Sequence, residues 1–242
     1  MAVEGRAAFY ALAPGGWRDY WTLLHPPYTI WHLSYVVMGA ALAPHVDERR
    51  LAATLVAFFL GVGLAAHALD ELHGRPLATR VGQRPLVVIA LAGLLGAVGL
   101  GVLGAVVVSW WLLAFVGVGA TIVVAYNLEW ADGRFHSDAW FALAWGGFPV
   151  LTSYFAQTGA ITVPVLLIAS ACVLLSLGQR RLSTPVRLLR RRAIRCEGRL
   201  FLDDGTEIVL NIERLRAVPE GALRTHWIGL SVLAVGLLAW RI

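Results

Sequence analysis

The sequence predicts an all-α integral membrane bundle of about seven spans, with a small cytoplasmic β-hairpin set into it. Three observations predict it. Hydrophobic residues make up 58% of the 242 residues and charged residues only 14%, whereas a soluble domain carries about a quarter charged. Apolar runs recur along the chain at lengths near the roughly 20 residues that a bilayer requires. The 20 basic residues, all arginine, gather in alternate loops, and only Arg49, Arg50 and Arg241 fall on the opposite side.

The elements follow in order. Residues 1–21 contain no continuous apolar core, so a cleavable signal is not expected. Runs at 28–44, 51–69, 86–108, 110–127, 139–156 and 161–178 read as six spans. A seventh, 227–240, is short for a crossing unless it starts further back, near Ala222. Arginine placement puts the amino terminus and loops 70–85, 128–138 and 179–225 in the cytoplasm. The expected location is therefore a plasma membrane, of a prokaryote. Residues 1–182 form the membrane bundle and 226–242 the last short helix. Between them, 183–225 is a separate region. STPVRLLRRRAIR reads as a basic helix lying among anionic lipid headgroups. CEGRLFLDDGTEIVLNIERL then alternates around Asp204-Gly205, a two-residue hairpin signal. Cys172 and Cys196 do not make a disulfide framework.

The chemistry concentrates in AAHALDELHGRPLATR, residues 65–80. His67, Asp70 and Glu71 stand at i, i+3 and i+4, on one helical face at the end of an apolar helix. Ionisable groups there mark a working site. His73 precedes Gly74, a C-cap, and complements the negative helix end. Tyr28, His32 and Tyr35 share a face of the first span, so His32 can meet His67 across a helix pair. Around the second cytoplasmic loop stand Glu129, Asp132, His136 and Asp138. Ser137 or Asp138 suits an N-cap, which leaves Glu129 and His136 as ligand candidates. Tyr126, one turn before Glu129, can offer its ring face to a cation. Gly146, Gly147 and Pro149 suit close helix packing and a kink. No nucleophilic triad, phosphate-binding glycine loop or nucleic-acid motif is present, and the membrane face accounts for the basic balance without nucleic acid.

These residues resemble the UbiA superfamily of intramembrane prenyltransferases over about 17–178. WRDYWTLLHPPYTIWHLSYVVMGAALA is similar to that family's first helix. AHALDELHGRPLATR is similar to its first aspartate-rich motif, followed by an Arg-Pro-Leu element at Arg75, Pro76 and Leu77. VAYNLEWADGRFHSDAWFALAWGGFPVLTSYFA is similar to its tyrosine-ended helix, polar loop and Gly-Pro-containing helix. The resemblance implies a cytoplasm-facing cavity where Mg²⁺ holds a prenyl diphosphate and the carbocation passes to an acceptor. Asp70 and Glu71 would then bind metal or steer the leaving phosphate. His67 would act as ligand or proton acceptor, Arg75 and Arg80 would hold phosphate oxygens, and Tyr126 would line the apolar tunnel.

The sequence departs from the family at two motifs. His67 and Gly74 stand where acids belong in the first. SLGQRRLSTPVRLLRR, after the sixth span, carries arginines in place of the second, so Arg180, Arg181 and Arg187 could neutralise phosphate directly. Two other readings stay open. One is a single Fe or Zn site on a lipid-processing enzyme, built from His67, Glu71, His32 and either Glu129 or His136, since imidazole favours a transition metal. The other is a non-catalytic membrane assembly subunit whose hairpin docks a partner.

Overall fold

The computed structural model describes residues 7–242. A short α1 (Trp17–Leu23) leads into α2 (Pro26–Ala41). α3 is one rod over Glu48–Leu72 whose middle, Phe59–Ala66, is wound as a π-helix. α4 (Gln83–Val107) and α5 (Leu112–Asn127) follow. α6 covers 138–158, again with a π-helical section at Leu143–Gly147. α7 (Val163–Arg191), the hairpin strands β1 (Gly198–Phe201) and β2 (Glu207–Leu210), and α8 (Ile212–Arg241) complete the chain.

Among the described residues four helices are long and apolar enough to cross a membrane: α3, α4, α7 and α8. The expectation of seven spans is thus met in part. α5 is apolar but has 16 residues, about 24 Å of helix. The last span is longer than its apolar run because α8 begins at Ile212, where Asn211 Oδ1 accepts the Arg214 N–H at 2.8 Å. The basic stretch after the sixth run is also not a separate surface helix. α7 continues through it to Arg191, Pro185 included, so 183–225 does not form one unit.

α2 lies at the centre. It packs against α3, α6 and α8, and Trp31, Tyr35 and Met38 join Val150, Tyr154, Cys172 and Leu230 in the main core. Small residues let backbones meet closely, which substitutes for the weak hydrophobic drive in lipid. α4 instead shows Leu91, Leu95, Val106 and Val107 to the outside, as a lipid-facing helix does. Trp17, Trp110, Trp111 and Trp240 are exposed, the pattern of interfacial belts.

The two ends of the bundle differ. At one end Asp47 caps α3, accepting from the Arg49 and Arg50 N–H groups at 2.9 and 3.0 Å. The Arg50 amide and, after the cost of burial, the Arg49 amide hold its carboxyl below the usual range. Arg50 donates to the Gln157 carbonyl at 2.9 Å, and Arg241 to the Ala41 carbonyl at 3.0 Å. At the other end Arg190 and Glu220, a nearly buried bidentate pair, join α7 to α8. The hairpin pairs Arg199 with Val209 and Leu200 with Ile208. Its turn differs from the two-residue form expected. Leu202 N–H bonds to the Thr206 carbonyl at 2.9 Å, leaving three loop residues with Gly205 left-handed at φ 81°.

Candidate functional site

A polar cavity of about 420 Å³ opens at the arginine-rich end. Five helices and the segments between them build its walls. α2 contributes Tyr28 and His32, α3 His67 and Asp70, and α6 Trp145. α7 contributes Gln179, Arg180, Arg187 and Arg191, the 127–136 loop Glu129 and His136, and α5 Tyr126.

Local chemistry fixes several of these side chains. Pro149 has no N–H for the carbonyl four residues before it, Trp145. His32 Nδ1 donates to that carbonyl at 2.9 Å instead, which ties α2 to α6. His67 Nδ1 donates to Gly63 O, in the π section of α3, at 3.1 Å. Such sections recur at functional sites because they displace the regular ladder. His136 donates to Tyr126 O at 3.2 Å and stacks on the Tyr126 ring at 4.4 Å. Tyr126 meets Trp145 edge-on at 5.7 Å, and its hydroxyl is buried without a hydrogen-bond partner among the described residues. Glu129 stands 3.8 Å from His73 Nε2 and 3.7 Å from His136 Nδ1, bridging the two loops. Arg75, Ala78, Glu129, Ala131 and Asp132 all sit in the left-handed region. Such strain on non-glycine residues gathers around ligand sites.

The site contains residues that sequence reasoning missed. His25 follows the Leu24 C-cap of α1, is left-handed at φ 47°, and is the N-cap residue of α2 ahead of Pro26. Its ring stacks on His67 at 4.2 Å with an 18° tilt. Tyr10 Oη lies 2.7 Å from His25 Nδ1, while His25 Nε2 is buried with no partner among the described residues. The only sequence signal was a histidine ahead of a Pro-Pro pair, and Tyr10 gave none. Burial and the neighbouring Tyr28 raise the Tyr10 hydroxyl well above its ordinary range, so it stays a donor. Burial, and then His67, hold His25 well below its ordinary 6.5. The folded ring is therefore neutral at pH values where the unfolded chain binds a proton. Stability should fall as pH drops below about 6.5, and go on falling until the folded ring itself titrates. Thermal unfolding in detergent between about pH 7.5 and 5 should show this decline, with a shallower slope for His25→Gln. Equal slopes would remove His25 from the account.

Four expected site residues lie elsewhere. Glu71 is wholly buried and turned to the following loop, accepting from Leu77 N–H at 3.0 Å, Thr79 N–H at 2.8 Å and Thr79 Oγ1 at 2.8 Å. Three donors occupy its oxygens, so it organises the loop and is no metal ligand or catalyst. Arg75 donates to the Thr79 and Val81 carbonyls at 3.1 and 3.0 Å and closes the same loop, not a phosphate site. Arg80 and Arg181 are exposed and outside the cavity wall. Arg180 is on the wall, but bonded to Asp138 at 2.9 Å and set over the Phe141 ring.

The donor set does not fit the implied metals. Among the described residues no three His, Cys, Asp or Glu side chains gather as a metal ion needs. With Glu71 committed to its loop, Asp70 and Glu129 are the carboxylates that line the cavity among the described residues. That matches neither a carboxylate-bound Mg²⁺ pair nor the Fe or Zn site of His32, His67, Glu71 and Glu129 or His136.

Below the cavity runs an apolar groove of about 550 Å³, between α3, α4, α5 and α6. Val62 and Trp145 line both spaces, so the two adjoin there. Arg50 stands at the groove's far end, twelve residues along α3 from Val62, or about 18 Å of helix. Leu103 and Val107, which line it, are also exposed on the outer surface. Comparison with protein-family models, with curated proteins and with solved structures found no match to this chain.

Proposed function

We propose that this chain is a UbiA-like intramembrane enzyme that transfers or otherwise processes a prenyl phosphate or similar anionic lipid. The observation that carries the reading is the junction at Val62 and Trp145, where a charged cavity adjoins an apolar groove lined in part by the exposed Leu103 and Val107. Such a pair of spaces suits an amphiphile, with its head among arginines and its tail in the groove. Arginine distribution supports a cavity facing the cytoplasm, with the amino terminus on the same side, in a prokaryotic plasma membrane. In this reading α2, α5 and α6 complete a seven-crossing bundle with the four long helices.

The chemistry follows from the lining. The allylic carbon–oxygen bond breaks and its electron pair leaves with the phosphate, towards the guanidinium groups. The Asp70 carboxylate and the Tyr126 ring face stabilise the positive charge left on carbon. The acceptor's nucleophilic atom bonds to that carbon and gives its proton to an imidazole, His67 being on the wall. The apolar groove keeps water from the cation.

The test is direct. Purified protein supplied with a panel of prenyl mono- and diphosphates, with Mg²⁺ and with EDTA, should release phosphate or pyrophosphate. Asp70→Asn should slow release by about a hundredfold or more. Normal turnover in that variant would remove the assignment. One observation favours the assembly-subunit reading instead: Phe201 and Val209 leave the hairpin exposed on one face. A single stable co-purifying partner, with no effect of Asp70→Asn in cells, would make that reading the better one.

A further inference from the structure

Arg180, Arg187 and Arg191 stand at i, i+7 and i+11, on one face of α7, and all three line the polar cavity. Their commitments differ. Arg180 is neutralised by Asp138. Arg187 is bonded to Thr184 Oγ1 at 3.2 Å and pairs with no carboxylate among the described residues. Arg191 gives its Nε–H to the Ala7 carbonyl at 3.2 Å and forms no ion pair with a carboxylate among the described residues.

Among the described residues, the fully buried polar atoms on the wall without a hydrogen-bond partner are those of His25 and Tyr126. With Tyr10 donating to His25 Nδ1, the neutral ring carries its proton on Nε2. That makes Nε2–H a donor, as the Tyr126 hydroxyl is. Arg187 and Arg191 both act electrostatically on His25, so the cations and this donor share one part of the cavity. Against them stand Asp70 on α3 and Glu129 on the loop, the latter beside His73 and His136. Two guanidiniums in no ion pair with a carboxylate among the described residues, beside buried donors lacking acceptors there, describe a place for a doubly charged anion. They do not describe a metal-bridged one, since the carboxylates among the described residues are too few to bind the bridging ions.

We propose that the cavity binds the phosphate dianion of a lipid phosphomonoester directly, through Arg187 and Arg191 with His25 Nε2–H and the Tyr126 hydroxyl, without a divalent cation. This rests on reading the cavity as the head-group chamber of a lipid-processing protein, and it names the head. Guanidinium suits the role because its planar fork matches two phosphate oxygens at once.

The experiment measures binding to the full-length protein in detergent, by calorimetry, with farnesyl monophosphate, inorganic phosphate and farnesol as probes. Each is run in EDTA and in millimolar Mg²⁺. Farnesyl monophosphate should bind in EDTA, with Mg²⁺ changing its Kd by less than about twofold. Arg187→Gln should weaken it about tenfold or more, and Arg187→Lys by less. Farnesol, lacking the anion, should bind no better than to Arg187→Gln. Should Arg187→Gln fail to fold, Arg191→Gln reads the same contact from the cavity rim. Inorganic phosphate binding as tightly as the lipid ester would identify free phosphate as the source, with direct guanidinium binding upheld. Binding that requires Mg²⁺, or an unchanged Kd in the folded arginine variants, would overturn the proposal. Metal-free binding without turnover would leave it standing while removing the transferase reading. Turnover that needs Mg²⁺ without metal-free binding would do the reverse.

Discussion

Glu71→Ala is expected to lower the stability of the protein by about 3 kcal/mol or more, the largest single loss from any residue near the cavity. Glu71 has no exposed surface, and its oxygens accept from Leu77 N–H, Thr79 N–H and Thr79 Oγ1 at 2.8–3.0 Å. Alanine would leave three buried donors without an acceptor, each costing about 1–3 kcal/mol unless water enters. Leu77 and Thr79 are themselves buried, which limits that entry. Glutamine is nearly isosteric, yet its amide NH₂ would face a donor, so Glu71→Gln should recover only part of the loss. The measurement is thermal or denaturant unfolding in detergent, together with binding of a phosphate lipid. The expected pattern is a large fall in unfolding midpoint, with binding preserved in the molecules that remain folded. A variant of normal stability that had lost ligand binding would return Glu71 to the site.

Gly39→Ala should cost about 2 kcal/mol, a large effect for one methyl group. Gly39 lies in the last turn of α2, where it faces α6. A Cβ there would fall 2.4 Å from the Val150 carbonyl oxygen and 3.0 Å from Ser153 Cβ. The nearest obstacle is backbone, so relief requires α2 and α6 to separate rather than a side chain to turn. Val150 and Ser153 are wholly buried, and separation would open the main core around Tyr35 and Tyr154. It would also stretch the His32–Trp145 bond that spans the same two helices. Gly99 is the control. It stands on α4 with nothing within 4 Å of an added Cβ, so Gly99→Ala should be neutral or stabilising by the ordinary helix preference. Equal unfolding midpoints for the two variants would show that close packing of α2 on α6 is not what holds the bundle.

The cavity was legible in the sequence only in part. His67 and Asp70 were marked by their depth in an apolar helix, and both line the cavity. Tyr126, Glu129, His136, His32 and Arg180 join them there from four other segments. Glu71 obeyed the same helical spacing and went elsewhere. It stands about 100° around the helix from Asp70, and three donors from residues 77–79 await it on that side. Helical spacing places a side chain on a face but does not say what the face meets. Arg75 shows the same limit, since a guanidinium suits phosphate and carbonyl alike. His25 and Tyr10 were invisible for a different reason. They lie fifteen residues apart in a segment without periodicity, and their meeting depends on how α1 turns into α2.

The sequence alone determined that the chain is a bundle of apolar helices, that charge gathers at one end, and that a hairpin turns near Asp204-Gly205. These are local properties, set by hydropathy, arginine counts and turn chemistry within a few residues of each position. The tertiary structure decided which polar groups share an enclosed space, which are consumed in holding loops, and which remain unpaired. Those outcomes depend on donors and acceptors supplied by distant segments. For a buried carboxylate or guanidinium, the partner across the gap fixes the role.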